Sequence, residues 1–243
     1  MSGAGRGYSP GMSRTDVPAA AVRRPAAPAA VTWRLLAVLA GLLAVLTVLV
    51  AARWSPLVSL DHAVAVRAFA ATSGHGLLIG WWKLLAAVTE PINLRVLMLL
   101  VGLGVLVRGR RDPRERVLGG WLVGVAVLEQ VVGPYAKYLL DRPRPHWQHP
   151  IDTLSTSSYP AGHATGIACF ASALVLLVLA TTSAGWARRT AVAVAVALVL
   201  LVSADRLLLG MHYLSDVVAG LLLGLLTTLV CWRVAQSSFS VRE

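Results

Sequence analysis

The residues able to do chemistry fall in three short segments of the 243-residue chain. The first runs from Lys137 through Asp141 and Arg142 to Arg144 and Pro145. The second is Tyr159-Pro160-Ala161-Gly162-His163. The third is Asp205-Arg206, followed by His212 and Asp216. Lys137, Arg144 and Arg206 are cations at the ends of apolar stretches, where hydrocarbon depth would cost roughly a few kcal/mol each. Charges so placed are usually paired or functional, and Asp141, Asp205 and Asp216 are at hand to pair with some of them. A dianionic phosphate pairs with several at once. Arginine's planar fork matches its oxygens, and lysine adds a point charge. Gly162 and His163 fall where an apolar run begins. A helix start there offers free N–H groups to an anion, and glycine lets the backbone come close. His212 and Asp216 are four residues apart. On a helix they share a face, so the carboxylate holds one ring nitrogen and leaves the other free to attack. With His163 as a second histidine, this set suffices for phosphoryl transfer with no metal and no cofactor. His212 attacks phosphorus in line and His163 protonates the departing alkoxide. Water then hydrolyses the phosphohistidine with His163 as base, while the cations stabilise the equatorial oxygens.

Each residue taken singly has a plainer use. Lys137 can snorkel, Gly162 can pack helices, either histidine can sit at an interface, and Asp216 can cap a helix. Arg142 is expected to hold the loop rather than touch substrate. The joint occurrence on one side of a charge-poor chain carries the functional reading.

The elements that must position these residues are membrane helices. Hydrophobic residues make up 57% of the chain and charged residues 14%, against about a quarter charged in an average soluble domain. Mean hydropathy is +0.70. This excludes an ordinary soluble domain and predicts an all-α fold, a polytopic membrane helical bundle of about six transmembrane helices. The spans are expected near 34–53, 78–107, 117–139, 163–183, 190–209 and 215–234, most of them near the ~20 residues that cross about 30 Å of hydrocarbon. Within 78–107 we expect one span of about 20 residues, preceded by a shorter segment before Pro91. Asp61, His62, Arg67, Lys83 and Glu90 are too many charges for a simple span. They predict a short interfacial helix followed by a partly buried one.

Residues 1–30 are rich in Gly, Ala, Pro, Ser and Arg and predict a disordered basic tail. Residues 31–236 form the six-span domain, with its motif region at 137–216, and 237–243 a short tail. The first apolar run is read as a transmembrane helix rather than a removed signal peptide. Cys169 and Cys231 lie inside apolar runs and are read as packing residues.

The net charge is +11, but no basic stripe interleaved with aromatics points to nucleic acid. Arginines gather before the first span, at Arg108–Arg116, at Arg188–Arg189 and after the sixth span. With six spans these share one side, which the positive-inside rule makes cytoplasmic, together with both termini. The opposite, extracytoplasmic side of the cell membrane receives 54–77, 137–162 and 206–214, and with them every histidine, within a residue or so of the span ends. The partners expected are membrane lipids and a lipid phosphate substrate.

The three segments resemble the three-part signature of the phosphatidic-acid-phosphatase type 2 (PAP2) superfamily, which also includes bacterial acid phosphatases and vanadium haloperoxidases. That signature reads Lys, six residues, Arg-Pro; then Pro-Ser-Gly-His; then Ser-Arg, five residues, His, three residues, Asp. Lys137 to Arg144-Pro145 matches the first part in full, and Arg206, His212 and Asp216 match the third in spacing. The resemblance runs from about residue 60 to 232. It implies a PAP2/haloperoxidase-like helical core and a chemistry that needs no metal. It also implies phosphate binding by Lys137, Arg144 and Arg206, His163 as acid, His212 as nucleophile and Asp216 as its partner. The expected reaction is hydrolysis of a lipid phosphate monoester such as phosphatidic acid, or of a polyprenyl diphosphate such as undecaprenyl diphosphate, at the outer face.

Two positions depart from the pattern. Ala161 stands where the family usually has Ser, which removes a hydroxyl donor worth about 1.5–3 kcal/mol on a charged acceptor. Asp205 stands where it usually has Ser, and either orients Arg206 or repels a phosphate. Two alternatives use the same chain differently. A phosphotransferase would pass the phosphoryl group to an alcohol. A transporter or scaffold with a decayed site would place polar groups near the midplane, where Glu129 is the main candidate. Headgroup choice is expected to involve Trp147, His146, His149 and the 54–90 region. His62 and His75 are read as interfacial.

Overall fold

The computed structural model describes residues 31–138, 140–152 and 154–240, with side chains to Ser238. The tail expected over 1–30 lies outside the described residues. Among these residues the chain forms eight helices: α1 (Trp33–Ala51), α2 (Ser55–Thr72), α3 (Gly76–Val88), α4 (Pro91–Arg108), α5 (Pro113–Ala136), α6 (Gly162–Thr181), α7 (Gly185–Leu208) and α8 (Leu214–Ser240). Local chemistry sets several of the boundaries. The Thr32 hydroxyl accepts from the Leu35 amide at the start of α1. Asp112 does the same for Arg114 at the start of α5, with Pro113 next. Pro91 opens α4, where its missing N–H goes unnoticed. The residue before a proline disfavours helical geometry, so α3 ends and α4 begins across Thr89-Glu90-Pro91.

Six segments are long and apolar enough to cross a membrane: Trp33–Ala51, Gly76–Arg108, Pro113–Ala136, Gly162–Thr181, Gly185–Leu208 and Leu214–Ser238. The six expected spans thus appear within a few residues, and the second is split at Pro91 as expected. Two details differ. The helix expected to be short and interfacial, α2, has 18 residues and buries Asp61, Ala65 and Thr72; the helix after it, α3, is partly buried as expected, with no residue fully covered. Residues 237–240, expected as tail, continue α8.

The core is a layer of apolar side chains between α1, α4, α5, α6 and α8, with Trp121 and Trp232 edge-on at 4.7 Å. Small residues let α6 and α8 approach closely. A Cβ on Gly220 would lie 2.5 Å from the Ala161 carbonyl oxygen, and one on Gly224 would meet the Thr165 carbonyl oxygen closer still. This is a small-xxx-small packing surface of the kind that joins membrane helices. It draws the start of α6 to the start of α8, which is what the site requires. Glu129 is paired with Arg95 at 2.9 Å, joining α5 to α4.

Candidate active site

The crossings alternate, so α4 starts, α5 ends, α6 starts, α7 ends and α8 starts at one end of the bundle. Lys137 caps the end of α5. Its Nζ donates to the Ser157 carbonyl at 2.9 Å and the Pro160 carbonyl at 3.3 Å. Burial, reinforced by the Arg144 charge and opposed by Asp216, pushes its pKa down to about 8. Arg144 donates through Nε to the Thr156 carbonyl at 2.9 Å and through Nη1 to the Met211 carbonyl at 2.9 Å. The same Nη1 lies 3.1 Å from His212 Nε2.

His212 is 3% exposed. Its Nδ1 lies 2.8 Å from the Ser158 carbonyl oxygen, which can only accept. Nδ1 therefore carries the proton, and the lone pair is on Nε2, directed at Arg144. Burial depresses the imidazole pKa to about 4, against the opposing pull of Asp216 and with help from Arg144 and Lys137. The ring is neutral near pH 7, as a nucleophile must be.

The expected pair of His212 and Asp216 is present, with the carboxylate 3.8 Å from Nδ1, but it is too long for a direct hydrogen bond and not made on a shared helix, because His212 lies in the turn before α8. Asp216 instead accepts from the Ser158 hydroxyl at 2.5 Å, from Arg142 at 2.6 Å and from the Tyr213 amide at 2.8 Å. It therefore holds Ser158, and the carbonyl of Ser158 holds the ring. Its acceptance from Tyr213 N–H is the reciprocal half of a helix-capping arrangement at α8.

Arg142 lies away from the histidines, as expected for a residue that holds the loop. Its guanidinium spans Asp216 and Asp61, the latter at 2.8 Å, donates to Ser215 Oγ at 2.7 Å and stacks 4.4 Å over the Tyr213 ring. Asp61, from α2, also accepts from the Ser215 amide and hydroxyl at 2.9 and 2.5 Å. A carboxylate from a distant helix thus caps α8 and complements its dipole. Tyr159 ties the second segment to α1 through Thr47 at 2.7 Å.

Gly162 and His163 open α6, and Ala161 caps it without a side-chain hydrogen bond. The first-turn amides of α6 therefore face the loop end of the bundle. A Cβ at Gly162 would meet nothing within 4 Å, so packing does not demand glycine there, unlike at Gly220 and Gly224. Ala161 is fully buried in an apolar cluster with Ala164 and Val217. His163 Nε2 lies 3.0 Å from the Glu90 carboxylate and 3.3 Å from the Ala86 carbonyl oxygen. Arg206 Nη1 is 3.3 Å from its Nδ1 and 3.4 Å from its Nε2. Asp205 takes both Arg206 Nε, at 2.7 Å, and Nη2 on one oxygen. Of the two effects left open for this carboxylate, the geometry shows orientation: Arg206 presents Nη1 to His163.

All seven site residues expected from the sequence thus gather at one end of the bundle. Contributors not anticipated include Asp61, Glu90, Thr156, Ser157, Ser158 and Ser215. Asp61 and Glu90 had a visible signal, as carboxylates in apolar surroundings. Thr156, Ser157 and Ser158 act largely through backbone carbonyls, which carry no signal in side-chain type. Trp147 meets the 54–90 region with which it was grouped. It stacks on Phe69 at 4.1 Å and donates to the Gly210 carbonyl at 2.9 Å, pinning the loop to α2 and to the α7–α8 turn. Gly210 has φ +68°, and a Cβ there would strike Trp147 and Phe69, so glycine is required.

The family model of the PAP2 superfamily matches residues 117–240. Among solved structures, the fold is similar to that of the first transmembrane PAP2 type phosphatidylglycerolphosphate phosphatase from Bacillus subtilis. The TM-score is 0.70 at 21% identity, over 83% of this chain and 96% of that one. No curated protein matches the chain. The family match takes in just over half of the chain, including all three segments whose side chains meet at the loop end of six apolar spans; this multi-pass membrane protein belongs to the PAP2 superfamily.

Proposed function

We propose that the protein hydrolyses the phosphate monoester or diphosphate of a membrane lipid through a phosphohistidine on His212. The observation that carries this reading is the fixed tautomer of His212, with Nδ1–H on the Ser158 carbonyl and the Nε2 lone pair facing Arg144. Family membership and a fold shared with a PAP2-type phosphatase support phosphate-ester chemistry at this place.

In the first step Nε2 attacks phosphorus and the bond to the leaving oxygen breaks. His163 gives that oxygen a proton. The charge that develops on the His212 ring is met by the Ser158 carbonyl and the nearby Asp216. In the second step water attacks phosphorus, His163 takes its proton, and the P–N bond returns its electrons to Nε2. Lys137, Arg144, Arg206 and the α6 amides beginning at Gly162 bind the phosphoryl oxygens. A lipid substrate follows from a site at the ends of membrane spans, and the extracytoplasmic side follows from the arginine-rich loops opposite.

The test is phosphate release from phosphatidic acid, phosphatidylglycerol phosphate and undecaprenyl diphosphate by purified protein in detergent with EDTA. Wild type should release phosphate from at least one, and H212A should lose roughly 10⁴-fold or more. Equal rates for the two would sink the mechanism. The side is tested with a membrane-impermeant maleimide on intact cells. A Tyr138→Cys variant should label and an Arg110→Cys variant should not; the reverse pattern would invert the topology.

A further inference from the structure

The break between α3 and α4 delivers a carboxylate to the second histidine. Glu90 stands immediately before Pro91 with extended backbone angles, φ −52° and ψ 132°, outside either helix. Its side chain is 51% exposed, yet its Oε2 lies 3.0 Å from Nε2 of His163, whose side chain is 12% exposed. The Ala86 carbonyl lies 3.3 Å from the same nitrogen. Both partners are acceptors, so Nε2 carries a hydrogen; Arg206 Nη1 stands 3.3 Å from Nδ1 and 3.4 Å from Nε2, so the carboxylate and the carbonyl, not the guanidinium, set which nitrogen bears it.

We propose that Glu90 is a positioning residue for His163, fixing the ring so that Nδ1 is the atom that gives and takes the proton. This rests on the acid–base role given to His163 above. While the ester bond breaks, the imidazolium passes its Nδ1 proton to the leaving oxygen and keeps its Nε2–H on Glu90. In the second step Nδ1 takes a proton from the attacking water and the ring becomes imidazolium again. Glu90 stays ionised throughout. Its carboxylate holds the Nε2–H through both steps, the service a carboxylate gives a catalytic histidine elsewhere.

The readout is dependence on the leaving group. An aryl oxide departs without a proton, whereas an alkoxide needs one. Single-turnover rates are compared for dioctanoyl phosphatidic acid and for 4-nitrophenyl phosphate in wild type, E90Q, E90D and H163A. E90Q should slow phosphoryl transfer from the alkyl ester roughly 10–100-fold, and 4-nitrophenol release by less than about threefold. E90D, which keeps the charge, should recover part of the alkyl rate. An equal fall on both esters, as a merely structural contact would give, overturns the proposal; so does no fall on the alkyl ester, or no recovery in E90D. H163A separates the two levels. If H163A shows the split and E90Q does not, Glu90 alone loses its role. If H163A shows no split, the acid role of His163 fails and takes the Glu90 proposal with it.

Discussion

The two histidines are held in opposite ways. His212 is almost wholly buried, its ring fixed between a backbone carbonyl and a guanidinium. Behind it stands a closed set of partners, Ser158, Asp216, Arg142, Ser215 and Asp61, that joins the loop to α2 and α8. His163 rests on Arg206 and on Glu90, half exposed at a helix break beside a helix that buries nothing fully. The contrast follows the two tasks proposed for them. In-line attack on phosphorus is the same for every substrate and rewards a rigid nucleophile, because a misplacement of about 1 Å can cost a hundredfold. The leaving alcohol differs between lipids, and an open margin around the acid admits it.

If the buried half owes its rigidity to the Asp61–Arg142–Asp216 bracket, breaking that bracket should make it resemble the open half. D61A leaves Arg142 and Ser215 without their α2 partner. Loss of one member of a buried pair costs about 3–5 kcal/mol, which lowers the apparent melting temperature by roughly 6 °C or more in a chain of this size. E90Q, at the open margin, should shift it far less. Equal melting of the two variants would remove the distinction.

A second expectation concerns protons. The His212 pKa is about 4 in the folded protein, against about 6.5 in an unfolded chain. Between these values the unfolded state binds more protons, so stability falls as pH drops through that window. H212N should flatten the melting curve from pH 6.5 to 4 relative to wild type. A wild-type profile as flat as that of H212N would mean that the ring is not held neutral.

The smallest effect is expected at Lys137. With a pKa near 8, it loses its charge in mild alkali, and KM for a phosphate ester should rise several-fold above about pH 8. K137R keeps the charge and should flatten that rise. A wild-type KM constant to pH 10 would remove Lys137 from the cradle.

Much of this was legible in the sequence, for identifiable reasons. The spans follow from apolar runs of membrane length, and the break at Pro91 from proline's effect on its predecessor. The seven site residues follow from spacing. The pairing of His212 with Asp216 follows from spacing, but its geometry does not: the turn at Gly210 leaves His212 outside α8, so the two meet at 3.8 Å without a direct hydrogen bond. Asp61 and Glu90 were visible as misplaced charges, but their partners lie 154 and 73 positions away and only tertiary packing brings them together. The carbonyl that sets the tautomer of His212 belongs to the backbone, and no residue type announces it. Ala161 was expected to weaken a phosphate contact; its full burial among apolar neighbours shows that its methyl group also serves packing.

In the proposed mechanism Nε2 of His212 carries the phosphoryl group. The most direct measurement is to quench turnover of ³²P-labelled phosphatidic acid in alkali and map the labelled peptide. An acid-labile, alkali-stable label on His212, absent from H212A, is the expected result. A label that survives acid, or one that persists in H212A, would contradict it.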